Sequence, residues 1–579
     1  MVFYLLKAET HFLGDGYSWI SIFGRGDTFM RKWTEPLSIP LVRGVQWLLG
    51  SYTKDTALTA FQLISVTCGF VVVYNFTLII KKLFKTNLIR LIILSSFLGS
   101  GLVLLFLGYV KLYPLFWATA TTFLALSIRY LQEGKGFLIC IFSFILTLSM
   151  HLQGLYLIGG VLLLTLKKLD FFNLRRRSRS FGVVAIVAFA SAFAWFLIWS
   201  YNNFLEIEVI FLPLLEGRPE SPGYFVFGTQ HLLDILNLAL LIFPGSLILV
   251  YLIFRGRAKL IRDDVAKFLG VCSIGSTLFL LVIDPRIGMG RDWDLMSFTL
   301  VCPFLFMCYH LNKISRLINA NLVWSYIILC GLLSGVFISA NLNVEASENR
   351  FHSLLRHYGS KDRTGWVIYA NYFLDKRHYS KYEEVKKELK EKHPEYSLLK
   401  DAYNAIESGE NKKALQISKF LVNKNPYKAD FLRVLGISYR QFGMFDSSEY
   451  YFKRALKLRP VSAPLRDEGG RLYFSWGKYK EAIEMFREAH YLDPSLPYVL
   501  EGLGMSYYHE NHLDTALLIA DSLFSKNKNS PAGHMLYVVL ALRRNDTATA
   551  KHHYSEFLKF GRSRQDYQTT KNNYLYLED

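Results

Sequence analysis

Residues 434–460 read VLGISYRQFGMFDSSEYYFKRALKLRP, and the pattern of this stretch recurs along the chain at an interval of 34 residues. The recurring positions are Gly436, Gly470 and Gly504; Tyr439, Tyr473 and Tyr507; Gly443 and Gly477; Phe452 and Phe486; Ala455 and Ala489; Ala482 and Ala516; Pro426, Pro460 and Pro494. Because several independent columns keep one register, they predict helix–turn–helix units with small residues where helices touch and proline at each unit boundary.

This pattern resembles the tetratricopeptide repeat. A further unit precedes it, carried by Ala402 and Gly409, and a weaker one lies around 369–394. After Pro531 the register slips, which is typical of a capping end. The resemblance implies an α-solenoid over 361–579 whose concave groove binds an extended peptide or a partner protein. The alternative is an array that serves as a spacer or a stabilising element.

The preceding part of the chain is strongly apolar. Hydrophobic residues make up 52% of the sequence, and they concentrate between 57 and 340. A membrane-spanning helix needs about 20 apolar residues. The predicted spans, about ten by this criterion, lie near 57–80, 88–109, 112–130, 136–150, 152–168, 181–201, 230–254, 266–284, 294–310 and 322–340. We therefore predict an all-α fold: a first outer loop in 1–56, a polytopic helical membrane domain over 57–340, a linker at 341–360, and then the repeats.

Basic loops alternate with loops rich in Asp, His, Trp, Tyr and Gly. The basic set comprises Lys81 to Lys85, Arg129 with Lys135, Lys167 to Arg179, Arg255 to Lys267, and Lys313 with Arg316. The other set comprises residues 15–35, 109–113, 151–153, 216–231 and 284–294. Lys and Arg accumulate in short cytoplasmic loops, so the second set and the repeat domain are predicted on the non-cytoplasmic side. Short loops favour a bacterial inner membrane, with the basic loops on anionic lipid.

Composition also excludes some functions. The net charge of +19 is explained by the membrane flanks, and no separate basic groove with aromatic interleaving indicates a nucleic-acid partner. All six cysteines fall in predicted spans without metal-ligand spacing, so no disulfide framework is predicted. Residues Met1 to Leu6 form an apolar stub too short for a span, and we expect a further first helix upstream of it.

The first outer loop carries an acid between two glycines, Gly14-Asp15-Gly16. Glycines on both sides let the backbone present the Asp15 carboxylate at a tight bend. A carboxylate near the membrane surface can deprotonate an acceptor hydroxyl or orient a metal or phosphate. Gly-Asp-Gly is also an ordinary turn sequence.

The outer loops together resemble the GT-C class of membrane glycosyltransferases over about residues 1–340. The motifs that carry the resemblance are Gly14-Asp15-Gly16-Tyr17, Tyr109-Val110-Lys111-Leu112-Tyr113-Pro114, His151-Leu152-Gln153-Gly154, His231 to Asn237, and Arg291 to Leu295. The resemblance implies a polyprenyl-phosphate sugar donor and makes Asp15 the general base. It also leads us to expect an acid where this chain has Lys111, so Lys111 either binds the donor phosphate or marks an altered activity.

Substrate-binding residues are predicted on the same face. His231 and Asp234 are three residues apart on one helical face, and ionisable groups at membrane depth are functional candidates; a capped, satisfied histidine is the alternative. Arg286 and Arg291 could hold phosphate oxygens; the alternative is an Arg–Asp salt bridge that closes this short loop. The remaining predicted contacts are Tyr17, Lys111, Tyr113, His151, Gln153 and Asp292.

These predictions favour a transferase that moves a sugar from a polyprenyl phosphate to a protein or glycan acceptor presented by the repeats. In plan this is similar to the eukaryotic transmembrane-and-tetratricopeptide O-mannosyltransferases, although architecture alone does not fix a substrate. No cofactor is indicated with certainty, and a divalent metal stays open. The alternatives are a non-catalytic membrane scaffold that recruits partners through the repeats, and a polysaccharide polymerase or ligase. The latter would favour a large outer loop with Arg and His, whereas the loop at 202–230 is modest and rich in Pro and aromatic residues. Transport is disfavoured because the charged residues cluster at one surface.

Overall fold

The protein divides into two compact helical units, one reaching to Pro394 and the other beginning at Glu395. The computed structural model describes residues 10–12, 16–24, 34–169, 211–217, 223–258, 260–285, 288–358, 363–459, 462–494, 496, 498–561 and 571–577. Within these ranges the chain is helical, and the β-structure is limited to an isolated bridge between Phe211 and Ile283.

The first unit consists of helices of very different length. They are α1 (Gly16–Phe23), α2 (Ser38–Leu48), α3 (Lys54–Leu83), α4 (Asn87–Leu98), α5 (Tyr113–Glu133), α6 (Phe137–Met150), α7 (Ile158–Lys168), α8 (Thr229–Ile242), α9 (Ser246–Arg255), α10 (Asp264–Val282), α11 (Trp293–Ser297), α12 (Val301–Tyr309), α13 (Ala320–Leu342), α14 (Val344–Tyr358), α15 (Arg363–Asp375) and α16 (Tyr379–Lys392). Short 3-10 segments at Gly101–Phe106, Leu152–Leu157, Phe298–Leu300, His310–Lys313 and Ser315–Leu317 connect several of them.

Four helical segments in the described part of the chain are long and apolar enough to cross a membrane: α3, α10, Trp293–Lys313 and α13. The longest, α3, begins with a capping box in which the side chains of Thr53 and Thr56 bond each other's backbone N–H groups. It ends in the basic pair Lys81 and Lys82, which suits the negative end of the helix dipole. The count of about ten spans stays a prediction from apolar run length.

Two interruptions shape the apolar part of this unit. The helix α6 ends at Met150, and a 3-10 turn follows His151, at the polar triplet where the sequence predicts a break. The predicted span at 230–254 instead forms α8 and α9, which are bent by 93°. The break contains Pro244 and Gly245, and proline interrupts a helix because it has no backbone N–H to donate. Gly245 also packs closely, since a Cβ atom there would overlap the ring of Tyr326.

The helices that follow the apolar region, α14 to α16, surround an aromatic cluster that belongs to the first unit. Its centre is Phe12, whose ring stacks on Phe351 with centroids 4.7 Å apart and meets Tyr372 edge-on at 4.7 Å. Trp366 and Phe373 of α15 are buried in the same cluster. The segment before α1 is thereby packed against α14 and α15.

The second unit is a stack of helical hairpins. Its helices are α17 (Pro394–Glu407), α18 (Asn411–Lys424), α19 (Ala429–Gln441), α20 (Phe445–Leu458), α21 (Ala463–Ser475), α22 (Tyr479–Leu492), α23 (Val499–His509), α24 (Leu513–Lys526), α25 (Pro531–Arg543) and α26 (Thr547–Phe560). The recurring glycines mark close contacts: a Cβ at Gly436 would lie 3.1 Å from the Phe452 ring, and one at Gly470 would lie 2.6 Å from the Phe486 ring.

The turns inside the hairpins keep the interval of 34 residues to the end of the stack. Gly409, Gly443 and Gly477 have φ values of 76°, 69° and 76°. Asn511 and Asn545 continue this series with φ values of 63° and 58°. Asparagine tolerates the left-handed conformation better than most residues. The turns between paired helices therefore keep the 34-residue spacing beyond Pro531. The slip expected there concerns only the recurring packing positions of the repeat.

Candidate functional site

Some predicted site residues lie outside the described ranges. These are Asp15, the proposed general base, Arg286, and most of the loop at 202–230. Tyr17 is described, at the start of α1, with its ring 5.2 Å from that of Phe12 and 5.5 Å from that of Tyr372. Burial, with the nearby Glu348 carboxylate, raises the pKa of Tyr17 to about 12. Tyr17 is thus held neutral in the aromatic cluster.

Lys111 forms a buried ion pair with Asp294 of α11. Its Nζ lies 3.9 Å from Oδ2 of Asp294, and the two side chains are 5% and 0% exposed. Tyr109 packs edge-on against Trp293 with centroids 5.9 Å apart. Burial raises the pKa of Tyr109 well above its usual value, and the Asp294 carboxylate adds to the shift. The ion pair therefore joins the loop at 109–113 to α11.

His151 is held by its neighbours in a defined orientation. The backbone N–H of Gln153 donates to Nδ1 of His151 over 3.0 Å, so neutral His151 carries its proton on Nε2. That nitrogen lies 3.3 Å from Oε1 of Glu35. The Tyr113 ring lies 5.3 Å from the imidazole, and Nζ of Lys111 lies 5.4 Å from the centre of the same tyrosine ring. Lys111, Tyr113, His151 and Glu35 consequently form one connected group.

His231 and Asp234 meet through a tyrosine. The Tyr224 hydroxyl donates to Oδ2 of Asp234 over 3.2 Å and lies 3.4 Å from Nδ1 of His231. Nε2 of His231 is 3.2 Å from the carbonyl oxygen of Leu281. A carbonyl can only accept, so Nε2 is the donor. Both predicted residues face the same side of α8, and His231 is satisfied by polar neighbours.

A cavity of about 430 Å³ opens beside Asp234. Its lining comes from α8, the loop before α11, the start of α11, and α14. The lining residues are Asp234, Asn237, Leu238, Leu241, Met289, Gly290, Trp293, Arg350, Ser353, Leu354 and His357. The Arg350 guanidinium lies 4.4 Å from the centre of the Phe337 ring, and burial lowers the pKa of Arg350. The cavity thus combines a carboxylate with a half-buried cation.

Sequence reasoning assigned α14 to a linker and missed Arg350 and His357. These residues recur with Ser353 and Leu354 at helical spacing, and that spacing is the signal that could have revealed a functional face. Of the predicted site residues that the structure describes, Asp234 lines this cavity. Arg291 is fully buried, with its guanidinium 5.0 Å from the centre of the Phe351 ring, and Asp292 is buried next to it. Gln153 is also buried, beside His151.

Metal binding has no geometric basis in the described residues, where no three His, Cys, Asp or Glu side chains converge on one point. A metal held by undescribed acids such as Asp15 stays open.

The second unit has a cavity of its own, of about 580 Å³. It is lined by Arg440, Gln441, Arg471, Phe474, Ser475, Phe486, Tyr498, Glu501, Gly502 and Met505, most of which lie on the first helices of three successive hairpins. Nη1 of Arg440 lies 3.1 Å from Glu468, and Nε of Arg471 donates to Asp467 over 3.0 Å. Burial raises the pKa of Asp467. This groove therefore offers oriented guanidinium groups beside apolar rings.

Comparison with known proteins identifies the repeats. The tetratricopeptide repeat family model matches residues 470–496, which span α22 and the end of α21. The C-terminal repeats are accordingly tetratricopeptide repeats. No curated protein matches the chain.

Several solved structures resemble the helical stack. PilF of Pseudomonas aeruginosa is 17% identical, with 28% of this chain and 75% of that chain covered at a TM-score of 0.26. A thermophilic tetratricopeptide protein of Thermus thermophilus is 14% identical, with coverages of 31% and 99% and a TM-score of 0.29. MamA of Desulfovibrio magneticus RS-1 is 18% identical, with coverages of 29% and 96% and a TM-score of 0.26.

Proposed function

We propose that this protein is a membrane-embedded platform that binds an extended segment of a partner protein in the groove of its tetratricopeptide repeats. The groove lined by the first helices α19, α21 and α23 carries the proposal. Stacked repeats form extended concave surfaces of this kind for binding. We propose that the platform lies in the bacterial inner membrane, with the repeats on the non-cytoplasmic side.

The chemistry of the groove suits a peptide with both polar and apolar side chains. Arg440 and Arg471 are held in place by carboxylates at 3.1 Å and 3.0 Å, so little side-chain entropy is lost when a ligand contacts them. Tyr498 is 52% exposed at the groove. Exposed aromatic and arginine side chains contribute most of the energy at many protein interfaces.

Site-specific photocrosslinking in living cells tests this proposal. A photoreactive phenylalanine analogue is introduced at Phe474 or Tyr498, which line the groove, and at Tyr450 as the control. Tyr450 is 56% exposed on α20, the second helix of its hairpin, so the substitution is chemically matched. We expect a defined protein crosslink at the groove positions and none at Tyr450. Equal yields at all three positions, or none at the groove, would reject the proposal.

A second candidate function is the transferase, and the cavity beside Asp234 favours it. In this scheme Asp15 deprotonates the acceptor hydroxyl, and Arg291 or Arg286 holds the leaving phosphate of a polyprenyl-phosphate sugar. His151, Gln153, His231 and Asp234 orient the substrates, together with Tyr17, Lys111, Tyr113 and Asp292. The half-buried Arg350 adds a cation where a phosphate could bind.

The transferase is tested with a panel of labelled polyprenyl-phosphate sugars and the purified protein. We expect sugar transfer or donor hydrolysis by the unaltered chain and loss of both in a folded Asp15→Asn variant. If no donor turns over, the binding platform alone is retained.

A further inference from the structure

A second groove lies on the apolar surface of α10, away from the cavity beside Asp234. It encloses about 710 Å³. Its walls come from α10, the segment before it, and one ring of α12. The apolar wall residues are Leu260, Gly270, Val271, Ile274, Leu278 and Phe306.

This groove opens outward on a helix that is suited to lipid. Ile274 and Leu278 are 63% and 55% exposed, and α10 is one of the segments apolar enough to cross a membrane, with a mean hydropathy of 2.0. The Ser273 hydroxyl donates to the carbonyl of Leu269 over 2.6 Å, so this wall residue directs its donor back into the helix. The groove therefore offers a hydrocarbon chain a concave apolar surface.

One end of the groove is basic. Lys267, Val271, Ile274 and Leu278 follow one another at helical spacing on one face of α10. The ammonium group of Lys267 thus stands at the end of the apolar stripe. Arg262 lines the same end, and within the described part of the chain no carboxylate pairs with it.

The carboxylates at this end are already engaged. Asp263 caps α10 through the N–H of Ala266 at 2.8 Å and accepts the Tyr309 hydroxyl at 2.8 Å. Asp264 pairs with Lys167 at 2.7 Å and with Lys267 at 3.3 Å. Among the described residues at this end, the cations Lys167, Arg262 and Lys267 therefore face two carboxylates, which leaves a net positive charge beside the apolar groove.

We propose that this groove binds an anionic phospholipid from the leaflet next to the basic loops. Its phosphate contacts Arg262 and Lys267, and one acyl chain lies along α10 between Gly270 and Phe306. Basic pockets between transmembrane helices bind lipid headgroups in this way. Gly270 adds no side chain to the groove. A Cβ there would lie at an ordinary contact distance, 3.4 Å, from the Phe306 ring, so larger side chains would fill the space beside it.

Native mass spectrometry of the full chain in detergent tests the proposal. The delipidated protein is titrated with phosphatidylglycerol or with phosphatidylcholine that has identical acyl chains. We expect tight binding of one phosphatidylglycerol and weaker binding of phosphatidylcholine. Each cation near a lipid headgroup contributes about 1 kcal/mol, so Arg262→Gln/Lys267→Gln should weaken phosphatidylglycerol binding about 10- to 30-fold.

Matched variants separate charge from shape. Lys81→Gln/Lys135→Gln removes two exposed cations from other basic loops and should leave binding unchanged. Gly270→Leu should weaken both lipids, whereas Gly331→Leu on α13, where a Cβ meets nothing within 4 Å, should weaken neither. Should Gly270→Leu not fold, Gly270→Ala supplies the milder obstruction.

Two results would overturn the proposal. One is equal affinity of the unaltered protein for the two lipids. The other is a charge preference that persists in Arg262→Gln/Lys267→Gln. Each of these results would leave the partner-binding and transferase proposals untouched, because neither depends on α10 and its lipid.

Discussion

Lys111 and Asp294 form an ion pair, with 3.9 Å between Nζ and Oδ2, in which neither side chain reaches solvent appreciably. The pair joins the loop before α5 to α11. In a buried ion pair, each charge compensates the other for the loss of its contact with water. Removal of one charge is therefore far more costly than replacement of both.

Lys111→Met should lower the free energy of unfolding by about 3–5 kcal/mol, because Asp294 stays buried without the lysine charge. Lys82→Met breaks the exposed pair of Lys82 with Glu133 and should cost far less, because solvent screens exposed charges. Unfolding of the purified protein in detergent measures both effects. The double variant Lys111→Met/Asp294→Leu should recover part of this loss of stability. If Lys111→Met destabilised the protein no more than Lys82→Met does, the result would contradict a buried ion pair.

Two adjacent glycines in α21 should respond in opposite ways. Gly470→Ala places a methyl group 2.6 Å from the Phe486 ring, and such overpacking costs about 1–3 kcal/mol. Gly469→Ala places its methyl 3.4 Å from Sδ of Met485, a flexible neighbour, and should gain up to about 1 kcal/mol of helix propensity. Chemical denaturation followed by circular dichroism distinguishes them, and similar effects at the two positions would argue against this packing.

Acid should destabilise the last hairpin. Nδ1 of His534 lies 3.0 Å from Nδ1 of His553. Burial, with the charge of His553, lowers the pKa of His534 to about 4. The unfolded chain, with a histidine pKa near about 6.5, binds more protons between these values, so stability falls as the pH falls from about 7 towards 4.

Thermal melting as a function of pH checks this expectation. His534→Gln should flatten the dependence of the melting temperature on pH, and the control His512→Gln should leave it unchanged. A melting temperature of the unaltered protein that is constant from pH 7 to pH 5 would contradict the expected linkage.

Arg350→Gln should weaken binding of a labelled polyprenyl phosphate. A hydrogen bond to a charged group contributes about 1.5–3 kcal/mol, which corresponds to a rise in Kd of about 10- to 100-fold. The control is Arg356→Gln in the same helix, whose exposed guanidinium pairs with Glu388. If both variants and the unaltered protein bound the polyprenyl phosphate with equal affinity, Arg350 would not be a phosphate-binding residue.

The sequence predicts those features that depend on neighbours within one helical hairpin. Gly436 and Phe452 are 16 residues apart, and their contact recurs at Gly470 and Phe486, so a repeating pattern exposes it. The break at His151 is likewise local, because a polar triplet interrupts an apolar run.

Features that depend on distant segments could not be predicted in the same way. The close approach of Tyr326 to Gly245 joins two distant segments, and the cavity requires α14 to bring Arg350 to Asp234. Both contacts are set by the shapes of packed side chains. The spacing of Arg350 and His357 marks one face of α14, but a single sequence does not record which distant segment that face contacts.

Phe486 occupies a shared position between two repeats. Its ring fills the space at Gly470 in its own hairpin and at Gly502 in the next, where a Cβ would lie 2.6 Å and 2.5 Å away, respectively, and it also lines the groove. A ligand that touches this ring therefore acts on the joint between repeats. Occupancy of the groove and the packing between these two repeats are therefore thermodynamically coupled, so a change in either one shifts the other.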